Sequence, residues 1–182
     1  MHRRLVVAWT VALIAAMSTA LPSAADTTTS YSATFQQERT VQRTCPSGFP
    51  PHAFCFTGSD HSGTGTSQPP NPADTMATED FAGFVDFDHP IPGACSGGAA
   101  GFPDHNVVAI GTYAGDLFLT TTGVDCINTG TDDGTWEAHG GTGIFRGATG
   151  NGTVHTQATG GSGTPADPIR SSSAYTGTLT LN

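Results

Sequence analysis

The sequence predicts an all-β fold. Past residue 25, no window keeps apolar residues at i, i+3, i+4 and i+7 for more than a turn; runs of period two recur along the chain, and glycine-containing turn signals punctuate it. The first predicted strand is Thr28 to Thr40, where Tyr31, Ala33 and Phe35 alternate with Ser32, Thr34 and Gln36. Ala53 to Thr57 is a shorter candidate. In Glu79 to Asp88, Phe81, Val85 and Phe87 share a face with Gly83. Asn106 to Tyr113, Asp116 to Val124, Gly134 to His139, Gly152 to Thr159 and Ala174 to Leu181 follow, each rich in Val, Thr, Ile, Leu or aromatic residues. Asp132-Asp133-Gly134, Gly140-Gly141 and Asn151-Gly152 read as hairpin turns that need positive φ, so neighbouring strands are expected antiparallel. Gly58 to Thr78 and Pro90 to Asp104, with their Gly and Pro clusters, read as long irregular loops. About eight strands suit either a β-sandwich or a closed antiparallel barrel.

The amino terminus is set apart from this pattern. His2, Arg3 and Arg4 precede an apolar run from Leu5 to Ala20, and Ser23-Ala24-Ala25 supplies small residues for a signal peptidase. Residues 1–25 are therefore expected to be a secretory signal peptide, leaving a single domain over residues 26–182 that is secreted. An uncleaved anchor is the alternative, although the apolar run falls short of the ~20 residues of a spanning helix. Cleavage removes two of six arginines and no acid, taking the formal charge from −9 to −11, and the chain has no lysine. So acidic a domain lacks the cationic patch that nucleic acid or an anionic membrane requires, and neither is expected as a partner.

Cys45, Cys55, Cys95 and Cys126 are an even set in an oxidising compartment. Of the three possible pairings, Cys45–Cys55 with Cys95–Cys126 closes the shortest loops and is the one expected. No Cys-x-x-Cys pair or regular histidine spacing suggests zinc, so no metal is expected. The chain also lacks a Gly-x-Ser-x-Gly elbow, and without lysine it cannot build a phosphate loop; no cofactor is expected.

The carboxy-terminal third carries the most specific pattern, Gly140-Gly141-Thr142-Gly143-Ile144-Phe145-Arg146-Gly147-Ala148-Thr149-Gly150. With Gly115-Asp116-Leu117-Phe118-Leu119-Thr120-Thr121-Thr122-Gly123 and Tyr175-Thr176-Gly177-Thr178-Leu179, it resembles secreted bacterial members of the dirigent and allene oxide cyclase barrel superfamily. The resemblance covers about half of residues 26–182 and implies one eight-stranded antiparallel β-barrel, in which Ile144 and Phe145 plug a barrel end. It also implies a possible homo-oligomer. Arg146 is expected to pair with an acid.

Candidates for chemistry are few. Alternation puts Glu137 and His139 on one face and Trp136 and Ala138 on the other; inside a barrel the pair is a candidate catalytic acid and base, outside it is an ordinary polar face. Tryptophan's preference for burial favours the polar face. Tyr113 and His155 are candidate ligand-binding residues. Asp86, Asp88 and His89 suggest a calcium site or a solvated strand end, the latter preferred because the spacing of a calcium loop is missing. Three classes of function remain: a secreted barrel binding a small apolar or phenolic ligand, which is the favoured reading; an isomerase of the allene oxide cyclase kind or a dirigent-like coupling protein, as the resemblance implies; and an extracellular scaffold.

Overall fold

The computed structural model describes residues 26–39, 45, 47–56, 61–68 and 76–182, so the expected signal peptide over residues 1–25 lies outside the described residues. The described residues form nine strands: β1 (Thr27–Arg39), β2 (Phe54–Phe56), β3 (His61–Gln68), β4 (Ala77–Val85), β5 (Phe102–Thr112), β6 (Gly115–Cys126), β7 (Thr131–Gly141), β8 (Thr149–Gly160) and β9 (Ile169–Leu181). Eight of them close into an antiparallel barrel in the order β4-β3-β1-β9-β8-β7-β6-β5, with β5 returning to β4. Among the described residues, closure leaves no long edge open to pairing with another chain. Among the described residues, no helix is long and apolar enough to cross a membrane.

The stretch expected to be an irregular loop, residues 58–78, contains β3 and the start of β4. His61–Gln68 has no apolar alternation to betray a strand. It is extended because β1 and β4 flank it, pairing Thr34 with Thr66 on one side and Gly65 with Ala77 on the other. A side chain at Gly65 would run into the backbone of Thr34, so glycine lets the strands approach. The short candidate at residues 53–57 becomes β2, which lies beside β4 beyond the end of β3 and does not help to close the barrel. The eighth strand is thus β3.

Two of the expected turns lie inside strands. Asp132, Asp133 and Gly134 belong to β7, and the β6–β7 turn falls earlier, where Gly130 adopts φ +66° and donates its N–H to the Cys126 carbonyl. Asn151-Gly152 lies within β8, where Gly152 gives room to the Trp136 indole. Residues 90–104 are irregular up to the start of β5, with a single turn of 3₁₀ helix at Ser96–Gly98.

Cys45 is joined to Cys55 and Cys95 to Cys126, with Cα separations of 5.2 and 5.6 Å. The second bridge pins the irregular 90–101 segment to the end of β6. In a Cys95→Ser variant, one reactive thiol per chain, at Cys126, is expected on titration with an aromatic disulfide under native conditions. A variant that shows none, or scrambles the Cys45–Cys55 bridge, would contradict this pairing.

The core fills one end of the barrel. Tyr31, Phe35, Ile110, Leu117, Leu119, Trp136, Tyr175 and Leu179 are buried there, each contributing ~1.5–3 kcal/mol from burial. Trp136 meets Tyr31 edge-on at 5.4 Å and donates its indole N–H to the Thr176 carbonyl at 3.1 Å. The glycine-rich turn after β7 then caps that end. Gly140 (φ +91°) and Gly143 (φ +56°) turn the chain back, and Phe145 drops into the core fully buried while Ile144 remains exposed. Of the two expected plugs, Phe145 does the plugging. Arg146 is exposed and has no acidic partner among the described residues, contrary to expectation, because the turn points it outward.

Candidate functional site

Five of the eight barrel strands, β1, β5, β6, β7 and β9, run from apolar to polar or small along their inward face. On β1 the inward residues are Tyr31, Ala33 and Phe35, then Gln37 and Arg39. On β5 they are Ile110 and Val108, then Asn106 and Asp104; on β6 Leu117 and Leu119, then Thr121, Gly123 and Asp125; on β7 Ala138 and Trp136, then Gly134 and Asp132. β9 follows with Leu179 and Tyr175 leading to Ser173 and Ser171. Antiparallel registry brings all these polar ends to the barrel end opposite Phe145. The gradient breaks on β4, where Val85 sits at the polar end and Glu79 lies deeper. One end of the barrel is a packed plug; the other is a mouth with polar groups beneath it.

Glu79 is fully buried. Its carboxyl accepts hydrogen bonds from the Tyr175 hydroxyl at 2.6 Å and from Gln37 Nε2 at 2.7 Å, while Gln37 Oε1 accepts from Ser171 at 2.9 Å. Burial pushes the Glu79 carboxyl up to about 7, against the pull of these hydrogen bonds. The same burial, together with Glu79 itself, holds the Tyr175 hydroxyl well above its ordinary value, so tyrosine is the proton donor of the pair.

Nearer the mouth Asp104 and Asp132 face each other, with the charge of Asp125 acting on both. Asp104 Oδ2 accepts from Asn106 Nδ2 at 2.6 Å, and Asn106 also donates to the Thr121 hydroxyl at 3.1 Å. The other oxygens, Oδ1 of Asp104 and Oδ1 of Asp132, are buried without a donor and converge over Gly123. Each stands 2.6 Å from where a Cβ on that residue would be. Two ionised carboxylates cannot face each other in this way; one proton between them resolves the contact. Burial, then the charges of Asp104 and Asp125, push Asp132 up to about 8, opposed by Arg39. Asp104 and Asp125 are also raised, chiefly by burial.

Above this group opens a cavity of about 500 Å³ with an apolar wall of Val85, Phe87, Ile127, Ala158 and Ile169, with Arg39 and Asp125 supplying charge. Beneath it, a void of about 30 Å³, room for one water or one small head group, is bounded by Arg39, Asn106, Thr121, Asp132 and Tyr175. Arg39 borders both spaces.

None of the four residues singled out in the sequence reaches either space. Glu137 and His139 are exposed on the outer face of β7, where His139 Nε2 contacts the Thr120 hydroxyl at 2.8 Å. Tyr113, at the β5–β6 turn, is 92% exposed. His155 is on the outer face of β8 and pairs with Asp133 at 2.6 Å. At the end of β4, Asp86 accepts from His89 at 2.8 Å and Asp88 pairs with His52, so these acids are occupied by side chains. Among the described residues, no three His, Cys, Asp or Glu side chains are grouped to hold a metal ion. No family model matches this chain, and no curated protein or solved structure is significantly similar to it.

Proposed function

We propose that the barrel is an extracellular binding protein whose mouth takes up a small apolar or phenolic molecule. The observation that carries this reading is the 500 Å³ mouth cavity, apolar in its wall and charged beside Arg39 and Asp125, at the unplugged end of a rigid barrel. Its size falls in the range of small-ligand pockets, and a few polar groups beside an apolar wall orient a ligand that carries one polar head. The two disulfides suit an oxidising, extracellular setting, as does the secretory signal read from residues 1–25. The resemblance of the Gly140 to Gly150 turn to dirigent and allene oxide cyclase barrels supports a chamber of this kind.

Filling the cavity provides the test. A phenolic or apolar ligand present at about 100 times its dissociation constant is expected to add ~2.7 kcal/mol of stability, read as a rise in melting temperature. Ala158→Trp places an indole in the mouth from the wall, and it is expected to abolish that rise while leaving the far-ultraviolet spectrum unchanged. If a ligand stabilises Ala158→Trp as much as the parent, it binds elsewhere and the mouth is not the site.

A second reading, an acid–base isomerase, is favoured by the Asp104–Asp132 pair below the same cavity. A carboxyl that exchanges a proton near neutral pH is suited to such chemistry. It requires turnover that Asp132→Asn removes while ligand binding survives.

A further inference from the structure

We propose that the mouth selects ligands whose apolar body ends in a protonated amine, and that the facing Asp104 and Asp132 carboxyls receive that ammonium head, with Asp125 adding negative charge above them. The inference rests on the mouth being a ligand site and specifies the charge of what it binds.

The first support is the balance of charge. Asp125 lines the mouth cavity, Asp132 lines the void beneath it and Asp104 faces Asp132 over Gly123, with Arg39 as the cation that borders both spaces. With one proton shared between Asp104 and Asp132, the group still carries a net negative charge inside a low-dielectric wall. A carboxylate ligand would add to that charge; an ammonium cancels it. The net negative charge of the chain attracts cations as well.

Hydrogen bonding is the second support. Asp104 is only 3% exposed, and apart from the single proton they share, its Oδ1 and Oδ1 of Asp132 opposite have no donor. An ammonium brings three N–H donors and can bond both oxygens with charge assistance, whereas a hydroxyl brings one. The third support is space. The void of about 30 Å³ beside Asp132 matches one small head group, and the cavity of about 500 Å³ above it accommodates the apolar body.

The proton balance follows. The amine enters as R–NH₃⁺, the proton held between Asp104 and Asp132 leaves to solvent, and no covalent bond to the ligand changes. The charged and titratable groups around Asp132 are Asp104 on β5, with His105 acting on Asp104 from the same strand, Asp125 on β6, Arg39 on β1 and Tyr175 on β9.

The test uses the oxidised chain and three probes of one shape: 2-phenylethylamine, 2-phenylethanol and 3-phenylpropanoate. Titration calorimetry at pH 7 in two buffers of different ionisation enthalpy reads both affinity and protons released. The amine is expected to bind at least about tenfold more tightly than the alcohol, with release of up to one proton, and the carboxylate most weakly. Asp132→Asn is expected to bring amine and alcohol to similar affinity while the alcohol still binds. Proton release by the parent chain decides the matter even if that variant does not fold. Equal binding of amine and alcohol without proton release, or tightest binding of the carboxylate, overturns the amine preference and leaves the mouth as a ligand site. Absence of binding by all three overturns both.

Discussion

Stability should fall, by several kcal/mol, as pH rises from about 4 to about 8. Glu79 has an ordinary value of 4.5 and is held at about 7 in the folded chain; Asp132 goes from 3.8 to about 8. Between its unfolded and folded values each carboxyl binds a proton in the native state that the unfolded chain has released, so the unfolding free energy decreases with pH across that window. A tenfold difference in proton affinity between the folded and unfolded chain is worth ~1.4 kcal/mol, so the two groups together outweigh most single substitutions. Asp88, held low by His52, acts in the opposite direction, but the pair lies at the surface with His52 exposed, where screening makes its effect small. Urea titrations at pH 4.5, 6 and 8 would show the trend. Asp132→Asn, which supplies a permanent N–H toward Asp104, is expected to raise stability at pH 8 and flatten the curve. Equal stability at all three values would mean that these carboxyls are ionised at no cost, and the assignment of a shared proton would fail.

Phe145→Ala should cost about 3–5 kcal/mol, the range for emptying a large aromatic site in a core. Phe145 is fully buried and packs in the same cluster as Leu117, Ala138, Ala148 and Leu179, so its removal leaves a void at the plugged end. The surrounding backbone is held by hydrogen bonds from Ile144 to the Ala114 carbonyl and from Thr142 to the Asp116 carbonyl, which limits collapse into the space. Ligand binding at the mouth, at the other end of the barrel, is expected to persist in the fraction that remains folded. A loss below about 1 kcal/mol would show that the turn closes the barrel by its backbone alone.

The inward polar residues obey the same period of two that marks the strands. Glu79 is two residues before Phe81, Gln37 two after Phe35, Asp104 four before Val108, and Asp132 four before Trp136. Extending each apolar face by one or two steps finds them. Reading Asp132-Asp133-Gly134 as a turn hid Asp132, because acids and glycine beside a strand carry the same local signature as a hairpin. Glu137 and His139 drew notice as a conventional acid–base pair, yet Trp136 beside them already assigned the opposite face to the interior. β3 carried no such clue, since Gly-Thr-Gly-Thr is a strand only when its neighbours supply the partners.

By itself, then, the sequence determined the all-β class, the alternation that separates the two faces of the strands, and the glycine turn at Gly140-Gly141. These are local matters, set by side-chain period and by backbone φ. Only the tertiary structure decided that His61–Gln68 completes the barrel, that Asp104 and Asp132 meet over Gly123, and that the polar strand ends share one mouth. Each of these depends on registry between strands distant in the chain, where the closure of the barrel, not the propensity of any segment, selects the pairing.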